Sequence, residues 1–152
     1  MMFPGDPEVA QVRDAMWDPF EYLIARHKDG LLKADFKRGL GTVAYQVPCH
    51  ARVQKMGRKS EELLARIPDT TLETIERCSG HAGTFGVKKE FHAMAMKIGK
   101  PVFRRMAEAR PDFISSDCPL GGHHIAQGVS EQHGLQPELA HPLTLLRLAY
   151  GI

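Results

Sequence analysis

The sequence predicts an α/β domain of three layers, with a small, mainly parallel sheet and helices on both faces. Two observations predict it. Short β-rich runs (TVAYQV, TLETIER and DFISSD) alternate with longer stretches of helical period, the pattern of βαβ units. Each run also stops abruptly, TVAYQV at Pro48 and the other two at a cysteine. At 152 residues the chain reads as one domain, a helical segment over 1–40 followed by a core over 41–152.

The elements follow in order. Asp6-Pro7 and Asp18-Pro19 each place a capping carboxylate before a proline at the first helical position, and Glu21 occupies the capping-box place. Val9, Val12, Met16, Phe20, Leu23 and Ile24 keep a three-four spacing, an apolar stripe for packing. Lys28-Asp29-Gly30 and Lys37-Arg38-Gly39 read as polar turns. TVAYQV (Thr42 to Val47) is the first strand, and Val53, Met56, Leu63, Leu64 and Ile67 line a helical stretch that ends at Pro68-Asp69. TLETIER (Thr71 to Arg77) is a weaker strand. Val87, Phe91, Met94, Ile98, Val102 and Met106 make a long amphipathic helix that Gly99-Lys100-Pro101 should kink or restart. DFISSD (Asp112 to Asp117) is the third strand. Gly128 to Ala140 reads as the loosest part, and His141-Pro142 opens a last helix.

Charge narrows the function. With 20 Lys+Arg against 18 Asp+Glu the net charge is only +2, which argues against a dedicated nucleic-acid binder. No apolar run approaches the ~18–20 residues that span a bilayer. MMFPGDPEV lacks a basic region followed by an apolar core, so the expectation is a cytoplasmic protein. Cys49, Cys78 and Cys118 are odd in number and far apart, as suits a reducing compartment.

Each cysteine directly follows a strand. In a parallel sheet the C-terminal strand ends share one rim, where α/β sites form, so the three thiols should converge there. Pro119 reads as a first helical residue after Cys118, and Cys49 opens the next helical segment; helix N-termini favour negative charge, and thiolate is the metal-binding form. The bland alternative is that each cysteine is a small buried hydrophobe.

The stretch ERCSGHAGTFG tests the alternatives. Its glycines (Gly80, Gly83 and Gly86) have the wrong spacing for a dinucleotide fingerprint, no Gly-Lys-Ser/Thr follows for a phosphate loop, and no arginine stands after Cys78 for a phosphatase loop. A metal site survives. Thiolates suit iron–sulfur clusters or zinc, imidazole suits zinc or iron, and Gly80, Gly83, Gly121 and Gly122 would let backbone approach a bulky cofactor.

VPCHARVQ, ERCSGHAGTFG and SSDCPLGGH resemble the three successive motifs of the cysteine-rich CCG domain. That domain occurs in the B-type subunit of heterodisulfide reductase, in the iron–sulfur subunits of glycolate oxidase and anaerobic glycerol-3-phosphate dehydrogenase, and in related iron–sulfur oxidoreductases. The resemblance runs from Thr42 to the C-terminal HPLTLLRLAYGI and is greatest to heterodisulfide-reductase-related iron–sulfur-binding proteins. It implies cluster or metal binding and electron transfer. Two positions depart from the family pattern: Ser79 stands where the middle motif has a second adjacent cysteine, and Gly121 where the third motif ends in cysteine. Cys49, Cys78 and Cys118 are the thiolates that remain. They accommodate a four-iron cluster, or a single metal such as zinc with His123 or His81 as fourth ligand, better than a noncubane cluster. The family's ferredoxin-like segment is missing, so the chain resembles the C-terminal domain of a longer protein, with that segment or a redox protein as its partner.

The expected function is therefore an iron–sulfur or metal-binding electron-transfer module of a larger oxidoreductase, with no general acid or base and no turnover by itself. The alternative is a degenerate scaffold, with structural zinc or no metal, acting in protein assembly. His123 is the preferred fourth ligand because it lies just beyond Cys118. His50 and His81 also read as crevice-lining residues, and His27, His92 and His133 as surface residues. A reactive-thiol sensor at Cys78 is a third reading. Arg52, Lys55, Arg58 and Lys59 read as a solvated basic face, with docking of an acidic redox partner as the alternative.

Overall fold

A computed structural model describes residues 3–152. It divides into two compact units, the first ending at Lys33 and the second running Ala34–Ile152. The first holds α1 (Pro7–Ala15) and α2 (Pro19–Lys28). Both begin as the sequence requires: the Asp6 carboxylate accepts from the N–H groups of Glu8 and Val9, and that of Asp18 from Phe20 and Glu21. The apolar stripe behaves differently along its length. Phe20 and Ile24 are buried, whereas Val12 and Met16 of the same stripe are exposed.

The second unit runs β1 (Gly41–Gln46), α3 (Cys49–Val53), α4 (Lys59–Leu64), β2 (Thr70–Ile75), α5 (His92–Glu108), β3 (Phe113–Ser116), α6 (Pro119–His133), β4 (Glu138–Leu139) and α7 (Pro142–Tyr150). The strands form one sheet in the order β2-β1-β3-β4, every pair parallel, with Gln46 opposite both Ile75 and Ser116. Parallel neighbours need crossovers, and α4 packs with α7 while α5 packs with α6, which places helices on both faces. Buried on both sides, β1 and β3 carry continuous buried runs instead of an alternating pattern. The connection from β1 leads outward to β2 and that from β3 leads the other way to β4. Their C-terminal ends therefore flank a topological switch point, where open α/β sheets form crevices.

Two readings are corrected. Gly128 to Ala140 is not loose: α6 continues to His133, closes on Gly134 at φ 67°, and a fourth strand, β4, follows. Nor does α5 restart at Pro101; it is one helix from His92 to Glu108. Its buried face runs on through Ala95, Met96, Gly99, Val102, Phe103 and Met106, so packing on both sides of the proline offsets the lost hydrogen bond.

The centre of the α5–α6 layer is Phe103, fully buried. Its ring lies against two glycines. A methyl group on Gly99 would come within 2.2 Å of the ring, and one on Gly128 within 2.3 Å. Only hydrogen fits at either place.

Candidate functional site

All three cysteines lie beyond the C-terminal ends of the parallel strands. Cys49 is the first residue of α3 after β1, Cys78 lies in the bend after β2, and Cys118 caps α6 after β3. Cys49 and Cys78 are exposed and Cys118 is partly so, which rules out the reading of three core hydrophobes. Cys49 shares a narrow crevice with Arg52, Glu76 and Arg77, the last two leading directly into Cys78.

The local backbone is arranged around sulfur. The Gly80 N–H donates to Cys78 Sγ at 3.4 Å, and the Gly121 N–H to Cys118 Sγ at 3.4 Å. Cys118 thereby acts as the N-cap of α6, with Pro119 in the first turn. Gly80 is held at φ 89° because the Cys78 loop presses on α5: a methyl there would come within 2.3 Å of the Ala95 carbonyl oxygen. Gly83, at φ 62°, has nothing around its missing side chain, so it serves the turn and not a close approach. The absent side chain of Gly121 leaves a gap. A methyl there would stand 3.4 Å from Cys118 Sγ and 3.5 Å from the Ser79 hydroxyl, so Cys118 and Ser79 are spatial neighbours.

Beneath the rim lie two buried polar networks. Tyr45 and Ser60 both donate to the carboxylate of Asp117, the residue before Cys118. Burial, with the Asp117 charge beside it, pushes the Tyr45 phenol well above its ordinary value, so it stays a donor. In the second network, Gln46 on the central strand bonds to groups that lead into the cysteine segments.

The histidines separate sharply. His123 faces out on α6 and is exposed, while His124, next in sequence, is buried with His81; each has an unpartnered buried Nε2. Their rings are 6.3 Å apart, and His92 lies 6.3 Å from His124. His92 is thus half-buried, contrary to its surface reading. His124 was missed in the sequence although helical spacing from Gly121 points it inward. Burial holds the His124 imidazole below its ordinary 6.5, with the hydrogen bond to the Ala95 backbone opposing. The unfolded chain takes up a proton that the folded one resists, so this stabilisation is present above about 6.5 and is lost as pH falls below it. Between about pH 7.5 and about pH 5, His124→Leu should show a shallower fall of Tm than wild type, by up to one proton's worth. Identical slopes would exclude His124 as the source.

Basic residues after Cys49 are largely neutralised. Arg58 pairs with Glu76 at 2.6 Å and with Glu61 at 3.4 Å, Arg52 with Glu76 at 3.4 Å, and Lys59 with Glu62 at 3.6 Å. These exposed pairs agree with a solvated face. The roomiest depression, about 900 Å³, lies at the opposite end of the strands between Arg104, Asp112 and Glu138, away from the thiols.

Among the described residues no three His, Cys, Asp or Glu side chains converge closely enough to hold one metal ion. The tetrahedral zinc arrangement, with metal–sulfur bonds of ~2.3 Å, is therefore not assembled by Cys49, Cys78, Cys118 and His123 as they stand. A cluster spreads its ligands over several irons, and the donor set here suits one: thiols on one rim, backbone N–H groups already aimed at two sulfurs, and a side-chain gap beside the third motif. No described helix is long and apolar enough to cross a membrane.

Comparison with known proteins agrees with this layout. Residues 43–126, more than half of the chain, match the family described as CCG, cysteine-rich domain. Over 110 residues the chain is 38% identical to the C-type subunit of anaerobic glycerol-3-phosphate dehydrogenase of Escherichia coli K12, a match covering 70% of this chain and 26% of that one. It is 36% identical over 98 residues to an uncharacterized iron–sulfur protein of Methanocaldococcus jannaschii, covering 63% of this chain and 19% of that one. The chain thus spans about a quarter or less of the length of these relatives. With the matched region beginning in the first strand and ending in α6, and enclosing every cysteine, the chain belongs to the CCG cysteine-rich domain family.

Proposed function

We propose that this domain holds an iron–sulfur cluster, of the four-iron type, at the C-terminal rim of its sheet and serves as an electron-transfer module of a larger oxidoreductase. The observation that carries the reading is the rim itself: Cys49, Cys78 and Cys118 each follow a parallel strand, and two of the sulfurs already accept backbone N–H bonds. Cys49, Cys78 and Cys118 would hold the group, with Ser79 or His123 as the fourth donor; Ser79 stands closer to Cys118 across the Gly121 gap. His81, Gly80 and Gly83 belong to the loop that shapes the site and are not needed as ligands. When bound, such a cluster accepts and releases single electrons. The names of the relatives, one a dehydrogenase subunit and the other an iron–sulfur protein, support the same chemistry and a protein partner.

Ser79 and Gly121, at positions where the family pattern has cysteine, favour a second reading: a scaffold with structural zinc or no metal, acting in assembly. One experiment separates the two. Anaerobic incubation with ferrous iron and sulfide should yield a brown protein with about four irons per chain, and Cys78→Ser should lose the colour. Stoichiometric zinc or no metal supports the scaffold. Unchanged iron in Cys78→Ser removes Cys78 from the ligand set.

A further inference from the structure

We infer that Gln46 is a positioning residue that locks the Cys78 and Cys118 segments to the strand leading into Cys49. It is the last residue of β1, the central strand, and only 2% exposed. Its register sets it opposite Ile75 at the end of β2 and Ser116 at the end of β3. From there one side chain reaches both neighbours. The Gln46 Nε2 donates to the Arg77 carbonyl at 2.9 Å, one residue before Cys78. It also donates to the Val47 carbonyl at 2.7 Å, two residues before Cys49. Oε1 accepts from the Ser116 hydroxyl at 2.8 Å, and the Ser116 oxygen in turn accepts the Cys118 N–H at 3.2 Å.

Both amide donors and the amide oxygen are thus engaged, and each bond ends on the approach to a different cysteine. A glutamine needed only to fill a core position would be replaced by a leucine at lower cost, because a buried amide stabilises only when its partners are all in place. The arrangement instead fixes three chain segments to one another at the place where their sulfurs must keep a set separation. The Cys78 bend has no regular structure to hold it, and the Cys118 turn is held at its N–H by Ser116. The inference rests on the proposed cluster site, but the apo chain tests it independently.

The experiment follows backbone hydrogen exchange in the metal-free chain, by mass spectrometry, in wild type, Gln46→Leu and Ser116→Ala. In Gln46→Leu, exchange in segments 76–81 and 116–121 should accelerate together by about five- to tenfold, the effect of a lost buried hydrogen bond on local opening. In Ser116→Ala only 116–121 should accelerate. A folded Gln46→Leu whose exchange rises in one segment alone, or in neither, overturns the coupling. If Gln46→Leu does not fold, Ser116→Ala carries the test, and unchanged exchange at 116–121 overturns it.

Chains loaded with iron and sulfide give a second readout. Gln46→Leu should shift the electron paramagnetic resonance signal and lose iron to a chelator about tenfold faster than wild type, the lower range for residues that orient metal ligands. An unchanged signal and rate with altered exchange would make Gln46 structural only and overturn its positioning role. A wild-type chain that takes up no iron defeats the cluster reading but leaves the exchange result to decide the clamp.

Discussion

Phe103→Ala should lower stability by about 3–5 kcal/mol, the largest loss expected from any single apolar truncation in this chain. The ring is fully buried between α5 and α6, in the cluster with Val102, Met106, Ile114, Ile125 and Val129. Deleting it removes the transfer energy of a phenyl group and leaves a void that two helices, both tied to the sheet, cannot close. The glycines facing the ring sharpen the expectation. Gly128→Ala gains about 1 kcal/mol of helix propensity, yet its methyl would lie 2.3–2.5 Å from three ring carbons. The ring cannot retreat, since Gly99 on its own helix already admits nothing larger than hydrogen. Overpacking should win, for a net loss of about 1–3 kcal/mol. Phe103→Leu with Gly128→Ala should then cost less than the sum of the two single changes, because the smaller side chain vacates the methyl's space. Urea unfolding of the four proteins measures this, and strict additivity would show that the two residues do not compete for one volume.

The same region shows what a sequence conveys about this fold. Three parallel strands and the helices between them were legible because β-rich runs and a 3.6-residue period alternate cleanly. The fourth strand was not, since Glu138–Leu139 is two residues long and gains its identity only by pairing with Phe113 and Ile114. Pro101 reads locally as a break, but the buried face on either side of it outweighs the missing hydrogen bond.

At the rim, the position of all three cysteines followed from one rule, that they come after parallel strands. Which histidine faces inward did not, although one step along a helix turns a side chain by about 100° and separates His123 from His124. The buried polar residues beneath the cysteines were the hardest to read. Gln46 sits within an apolar strand and Asp117 among serines, and neither stands out until the strands are paired in register. Their partners, Arg77, Ser116, Tyr45 and Ser60, are remote in sequence and are supplied by the sheet.

Ser79→Cys with Gly121→Cys should convert this rim into a tighter metal holder. Both positions carry cysteine in the family pattern, and the fold brings them together: a side chain starting at Gly121 stands 3.5 Å from the Ser79 oxygen and 3.4 Å from Cys118 Sγ. These are ordinary contact distances, and Gly121 has no positive φ, so a cysteine enters α6 there without strain. Two added thiols beside Cys118 would give the site more sulfur donors than the native chain supplies. Iron loss to a chelator after anaerobic loading should slow by at least about tenfold, taking the lower end of what a partner of a metal ligand contributes as a floor for a ligand itself. Leu120→Cys is the control, because Leu120 is 56% exposed on the outer side of the same turn and its thiol would not join the site. Proximity has its own check: in air the double variant should lose free thiols faster than the control. If a folded double variant released iron at the wild-type rate, the rim would not be where the metal sits.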